Sequence, residues 1–180
     1  MSLTATIHHF AVRLSDVDRG VYETLALKVA RHPSEAADYL VARVMAYCLE
    51  LTEGLNFSRG LSEPDEPALS VRDLTGRLLA WIDIGTPDAA RLHKASKAAP
   101  RVAVYTHKAP QQLLRQLEGA RMHRAADIEL YALERELVAG LAARLERRMD
   151  LDVSDTDRHV FVSMGGATFS GSVERLALSG

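Results

Sequence analysis

The chain has 180 residues, 47% of them hydrophobic and 26% charged, with 22 Lys and Arg against 24 Asp and Glu. That is the size and balance of one globular domain with its own core, and it excludes a fibrous or intrinsically disordered chain. No apolar run reaches membrane-spanning length, the N-terminus lacks a basic flank and apolar block, and Cys48 is the single cysteine. The expected setting is therefore the cytoplasm, with no membrane association and no disulfide framework.

Taken in chain order, Thr4–Leu14 alternates as a strand, Asp16–Gly20 reads as a connection, and Tyr22–Ala30 reads as a second strand. Ser34 is a natural N-cap and Glu35 suits a first helical turn, so a helix is expected from there to about Leu51. Cys48 falls on the apolar face of that helix with Leu40, Val41, Val44 and Leu51, the pattern of a reduced core thiol. Gly54–Pro67 is polar and turn-rich. Leu69–Asp73 and Leu78–Ile84 predict a hairpin around Thr75-Gly76. Thr86 is the expected cap of the next helix, with Pro87 in its first position.

Arg101–Tyr105 reads as a strand, Pro110–Leu117 as a short helix, Ile128–Leu133 as a strand and Glu134–Arg147 as a helix. Met149–Val153, His159–Ser163 and Thr168–Leu176 complete the chain as three strands. The sum is one α+β domain over residues 1–180, with a mixed sheet and β-rich ends.

One acid stands out. Asp83 lies near the end of the strand Leu78–Ile84, among Trp81, Ile82 and Ile84, where an ionised carboxylate is costly without a partner. A two-residue turn at Thr75-Gly76 puts Asp83 opposite Ala68 and Glu66 diagonal to it on the same face. A register shift of one would substitute Asp65. Asp73 lies at the turn end and reads as a turn residue. Two carboxylates on one face favour a proton or a cation, and Mg²⁺ or Mn²⁺ suits such hard oxygen ligands in phosphodiester chemistry. The expected metal ligands are Glu66 and Asp83, with Lys94 or, in reserve, Lys97 of the next helix contacting water or phosphate. The competing structural reading is a strand-end acid bonded to a loop, a solvated Glu66 and a solvated lysine face.

Other constellations exclude more than they assign. The seven histidines show no zinc-ligand spacing and have no partner cysteines. Gly165-Gly166 lies between strands and reads as a turn, not a phosphate cradle, and no organic cofactor is expected. The charge is uneven: residues 91–148 hold 12 basic and 6 acidic side chains, net +6, against net −5 for residues 1–90 and −3 for 149–180. The middle segment is the expected nucleic-acid surface, although solvated helices rich in arginine give the same count.

Several stretches together resemble the YaeQ family of bacterial proteins. They are Ala30–Glu35, Phe57–Leu61, Asp65-Glu66-Pro67 and Trp81–Gly85 with Pro87-Asp88, and the opening pattern at Ala5–Ile7 and Asp18-Arg19 also matches. The resemblance implies a variant of the PD-(D/E)XK nuclease core, at about residues 34–106, with added strands at both ends. It makes Glu35 the helix acid, Glu66 the hairpin acid and Asp83 the acid of (D/E)-x-K. The lysine of that motif is replaced by Gly85, so Lys94 is the expected substitute. Arg43 could serve a phosphate or pair with an acid, and pairing is the expectation; Arg59 is left open. The functional expectation is a Mg²⁺- or Mn²⁺-dependent phosphodiesterase or nuclease-like protein. The alternative is a non-catalytic relative that binds nucleic acid or protein.

Overall fold

The computed structural model describes residues 4–58 and 65–178. Ten strands form one sheet: β1 (Thr6–Asp16), β2 (Val21–Arg31), β3 (Leu55–Phe57), β4 (Leu69–Arg72), β5 (Leu78–Ile84), β6 (Arg101–Thr106), β7 (Glu129–Leu133), β8 (Arg148–Thr156), β9 (His159–Met164) and β10 (Ala167–Leu176). Their spatial order is β2-β1-β8-β9-β10-β7-β6-β5-β4-β3. The helices are α1 (Ala37–Glu50), α2 (Ala89–Ala98), α3 (Pro110–Leu117) and α4 (Arg135–Ala142). Most pairs are antiparallel; β5–β6, β6–β7 and β1–β8 are parallel.

The strand periodicity explains the layers. Phe10, Val12 and Leu14 of β1, Met149, Leu151 and Val153 of β8, and Ile82 and Ile84 of β5 all point to one face. There they enclose α1 and α4 in the principal core. On the other face of the β5–β7 region, Trp81, Val102, Val104 and Leu130 pack against α2 and α3 in a second, smaller core. Cys48 is wholly buried in α1 and its thiol is pushed up to about 12 by that burial, which makes it an inert core group.

Four local expectations change. Helix α1 starts at Ala37, with no side-chain cap at Ala36, because the Ser34 hydroxyl is bonded to the His32 ring instead. Helix α2 is capped by Asp88, whose carboxylate accepts from the Arg91 amide, and the Thr86 carbonyl instead accepts from Gln116. The stretch Gly54–Pro67 is not all turn, since Leu55–Phe57 pairs with β4. That strand depends on Gly54, where φ is +87° and a Cβ would stand 2.0 Å from the Arg72 carbonyl oxygen. Helix α4 stops at Ala142, five residues before Arg147, and the chain turns into β8.

The β4–β5 hairpin keeps the expected register at its far end by another route. Leu69 lies opposite Ile82, which carries Ala68 level with Asp83, while a bulge sits between Val71 and Arg72. The turn is built by Asp73: its carboxylate accepts from the Thr75 and Arg77 amides and the Thr75 hydroxyl. Those bonds hold the carboxyl of Asp73 below the usual range.

Candidate functional site

Asp83 shares the Trp81 face of β5, opposite Val104 of β6, and so points towards α2 rather than α1. It is 2% exposed. Arg91, one turn into α2, meets it as a two-pronged partner: Nε donates to Oδ2 at 2.7 Å and Nη2 to Oδ1 at 3.0 Å. The guanidinium lies 5.3 Å from the centre of the Trp81 ring. Arg91 Nη2 also donates to the main-chain oxygen of Glu66 at 2.6 Å. The hairpin thus brings Glu66 to Asp83, as the register argument expects, but it is the Glu66 carbonyl that shares the arginine.

Glu35 belongs to the other side of the sheet. It lies just before α1, buried, with three bonds of 2.7–3.0 Å from Arg43 Nε and Nη2. Both side chains are fully buried, and Arg43 further donates to the Ala30 carbonyl. Arg43 therefore pairs with an acid, as expected. Glu35 and Asp83 approach the end of the sheet from opposite faces, each with its own arginine. Among the described residues, Glu35, Glu66 and Asp83 do not form a set whose ligand atoms lie within 4.8 Å of one another. For the expected ligand pair Glu66 and Asp83, both Asp83 oxygens are held by Arg91 and the Glu66 carbonyl accepts from the same guanidinium, which does not fit a Mg²⁺ or Mn²⁺ site in this arrangement.

Gly85 carries φ of +89°, a conformation that disfavours a lysine or any other side chain. Lys94 is exposed on α2 and forms an ion pair with exposed Asp65, so it reaches the Asp65-Glu66 turn rather than Asp83. That contact holds the Asp65 carboxyl below its ordinary range. Lys97 is exposed in the last turn of α2. Arg59 lies outside the described residues.

Three further residues complete the neighbourhood. Tyr39 of α1 lies within electrostatic reach of Asp83, Glu35, Arg43 and Arg91, and its phenol is pushed up to about 12, chiefly by burial. His107, just after β6, is 5% exposed, with neither ring nitrogen hydrogen-bonded to a described residue. Its Nε2 is 3.6 Å from Asp38 Oδ2 and its ring sits edge-on to Tyr39. Burial lowers the His107 pKa, and Asp38 opposes that. Sequence reasoning missed Arg91, although its signal was present: it stands eight residues after Asp83, one turn beyond the Asp88 cap.

The basic middle segment is partly consumed inside the fold. Arg101 grips Glu50 and Glu129, and Arg124 donates to the Ser96 and Ala99 carbonyls. Lys94, Lys97, Lys108, Arg115, Arg121, Arg135, Arg144, Arg147 and Arg148 are exposed, as is Arg124 outside those bonds.

The fold and this site define a mixed α+β protein with a large, nearly closed sheet and, at a parallel strand end, a buried acid held by a part-exposed arginine. The family model for YaeQ protein matches residues 1–173, and the chain belongs to the YaeQ family. It is 32% identical over 164 residues to the uncharacterized YaeQ proteins of Escherichia coli strain K12 and of Shigella flexneri, with 91% of each chain covered. The crystal structure of YaeQ from Xanthomonas axonopodis pv. citri aligns with a TM-score of 0.88 at 31% identity, over 98% of this chain and 100% of that one. The YaeQ structure from Pseudomonas syringae gives 0.87 at 30% identity, over 97% of each. Among the described residues no helix is long and apolar enough to cross a membrane.

Proposed function

We propose that this protein binds the phosphodiester backbone of nucleic acid at the C-terminal end of β5, with Arg91 as the central contact. The carrying observation is the Arg91 fork. Asp83, 3% exposed at its side chain, fixes the guanidinium, while Arg91 itself is 28% exposed to solvent. A guanidinium held this way places a part-exposed cation at the strand end, and its position is set before the ligand arrives. Lys94 and Lys97 extend the positive charge along α2, and the Lys94–Asp65 pair is an exposed contact that a phosphate can exchange. Strand C-terminal ends are also where open α/β sheets bind ligands. The nuclease-like reading of the fold belongs to this proposal; the order α1, β3, β4, β5, α2, β6 supports it.

Mg²⁺- or Mn²⁺-dependent cleavage with Glu66 and Asp83 as ligands is the second reading, to be tested against the first; it requires Arg91 to release the Asp83 carboxylate, both of whose oxygens it holds. The test is fluorescence anisotropy with labelled single- and double-stranded DNA and RNA, with and without Mn²⁺. The expected result is salt-sensitive binding that weakens about tenfold in Arg91→Met, equivalent to about 1.4 kcal/mol. Mn²⁺-dependent cleavage lost in Asp83→Asn would move the conclusion to the second reading. Absence of nucleic-acid binding under every condition would overturn both and leave protein binding.

A further inference from the structure

The acidic residues that do converge lie at the other end of the molecule. Strands β1 and β8 run parallel, and Asp16 is the register partner of Asp155. Each ends an inward apolar stripe: Phe10-Val12-Leu14-Asp16 on one strand, Met149-Leu151-Val153-Asp155 on the other. Asp16 is 1% exposed and Asp155 3%. With exposed Asp18 they offer ligand oxygens that all lie within 4.8 Å of one another. Adjacent like charges in a buried position repel, so the arrangement needs a compensating partner.

Two of the three acids are already engaged. Asp16 accepts from the amide and Nε of Arg19, and Asp18 accepts from the amides of Asp157 and Arg158. Asp155 differs. Its Oδ1 is buried with no hydrogen-bond partner, and the residue belongs to the cluster. Neither nearby cation hydrogen-bonds Asp155: Arg19 gives Nε to Asp16 and Nη1 and Nη2 to the Leu51 and Cys48 carbonyls at the end of α1, and Arg158 lies over the Tyr131 ring. Asp16 and Asp18 keep further lone pairs, since each carboxylate has about four acceptor sites. Calcium–oxygen distances of about 2.3–2.6 Å let one ion span oxygens separated by this spacing.

We infer that Asp16, Asp18 and Asp155 form a binding site for a hard divalent cation of the Ca²⁺ class, with Asp155 as the ligand that depends on it. The ion joins the β1–β2 connection to the β8–β9 turn, and water completes its shell from the Asp18 side. The site is separate from the Asp83–Arg91 pair on the other part of the sheet.

Isothermal calorimetry with Ca²⁺ alone tests this on the full chain. The expected result is one site in the wild type and in Asp83→Asn, with at least tenfold weaker binding in Asp155→Asn and a Ca²⁺-dependent rise in melting temperature that the variant lacks. Should Asp155→Asn not fold, Asp18→Asn on the exposed side carries the test and must also bind Ca²⁺ more weakly. Unchanged affinity in either folded variant would overturn the site. So would a wild type that binds no Ca²⁺ at millimolar concentration while Asp155→Asn melts higher, the signature of a proton held between the acids.

Discussion

Two acid–arginine pairs sit near the same end of the sheet, and they differ in one property. Glu35 and Arg43 are sealed, with both side chains fully buried. Asp83 is as deeply placed, yet its partner Arg91 is 28% exposed. The sealed pair ties the entry of α1 to the end of β2 and lies out of reach of solvent. The open pair holds a cation at the surface in a fixed orientation. Similar chemistry thus gives a structural clamp on one face and a recognition element on the other.

The sharpest way to break this contrast is Arg43→Met. It strands the Glu35 carboxylate in the core, and the expected loss is about 3–5 kcal/mol of unfolding free energy in urea titration. Arg91→Met should cost less, about 2 kcal/mol, because solvent can reach the Asp83 carboxylate once the part-exposed guanidinium is gone. Equal losses for the two would erase the distinction between clamp and recognition element.

Acid should act next. His107 has a folded pKa below its ordinary value because burial disfavours the charged ring. A group depressed in this way contributes fully at pH above about 6.5, its unfolded value, and that contribution is lost as pH falls through the folded value. Asp38 and Lys108 face the ring, with Tyr39 against its edge. The urea midpoint should therefore fall between pH 8 and pH 5.5 more steeply in the wild type than in His107→Gln. The smallest effect belongs to Lys94→Ala. It removes an exposed pair, so stability should be unchanged, while the slope of log affinity against log salt for nucleic acid should fall by about one.

How much of this the sequence carries depends on range. Strand periodicity made nearly every element legible, from β1 to the short α3, because alternation and apolar spacing are local. Leu55–Phe57 escaped, being only three residues and held by a glycine that makes room for Arg72. The Asp83 neighbourhood was legible through hairpin register, which correctly brought the Glu66 segment beside it. What that register cannot state is whether a side chain or a carbonyl arrives, and here it is the carbonyl. The partners of the two acids were not legible from register: Asp83 shares the Trp81 face of β5 and takes Arg91 of α2, while Glu35 takes Arg43 of α1. The Asp16–Asp155 contact spans most of the chain, and no local pattern pairs those strands. The sole hint was an aspartate ending each inward apolar stripe.

The most direct test of the central claim is anisotropy of a labelled oligonucleotide against wild type, Arg91→Met and Arg43→Lys, each first verified as folded by thermal melting. The account predicts that Arg91→Met weakens binding about tenfold, with a shallower salt slope, while Arg43→Lys, although less stable, binds as the wild type does. Equal affinity of wild type and Arg91→Met would contradict it, and the Asp83–Arg91 pair would then be a second clamp.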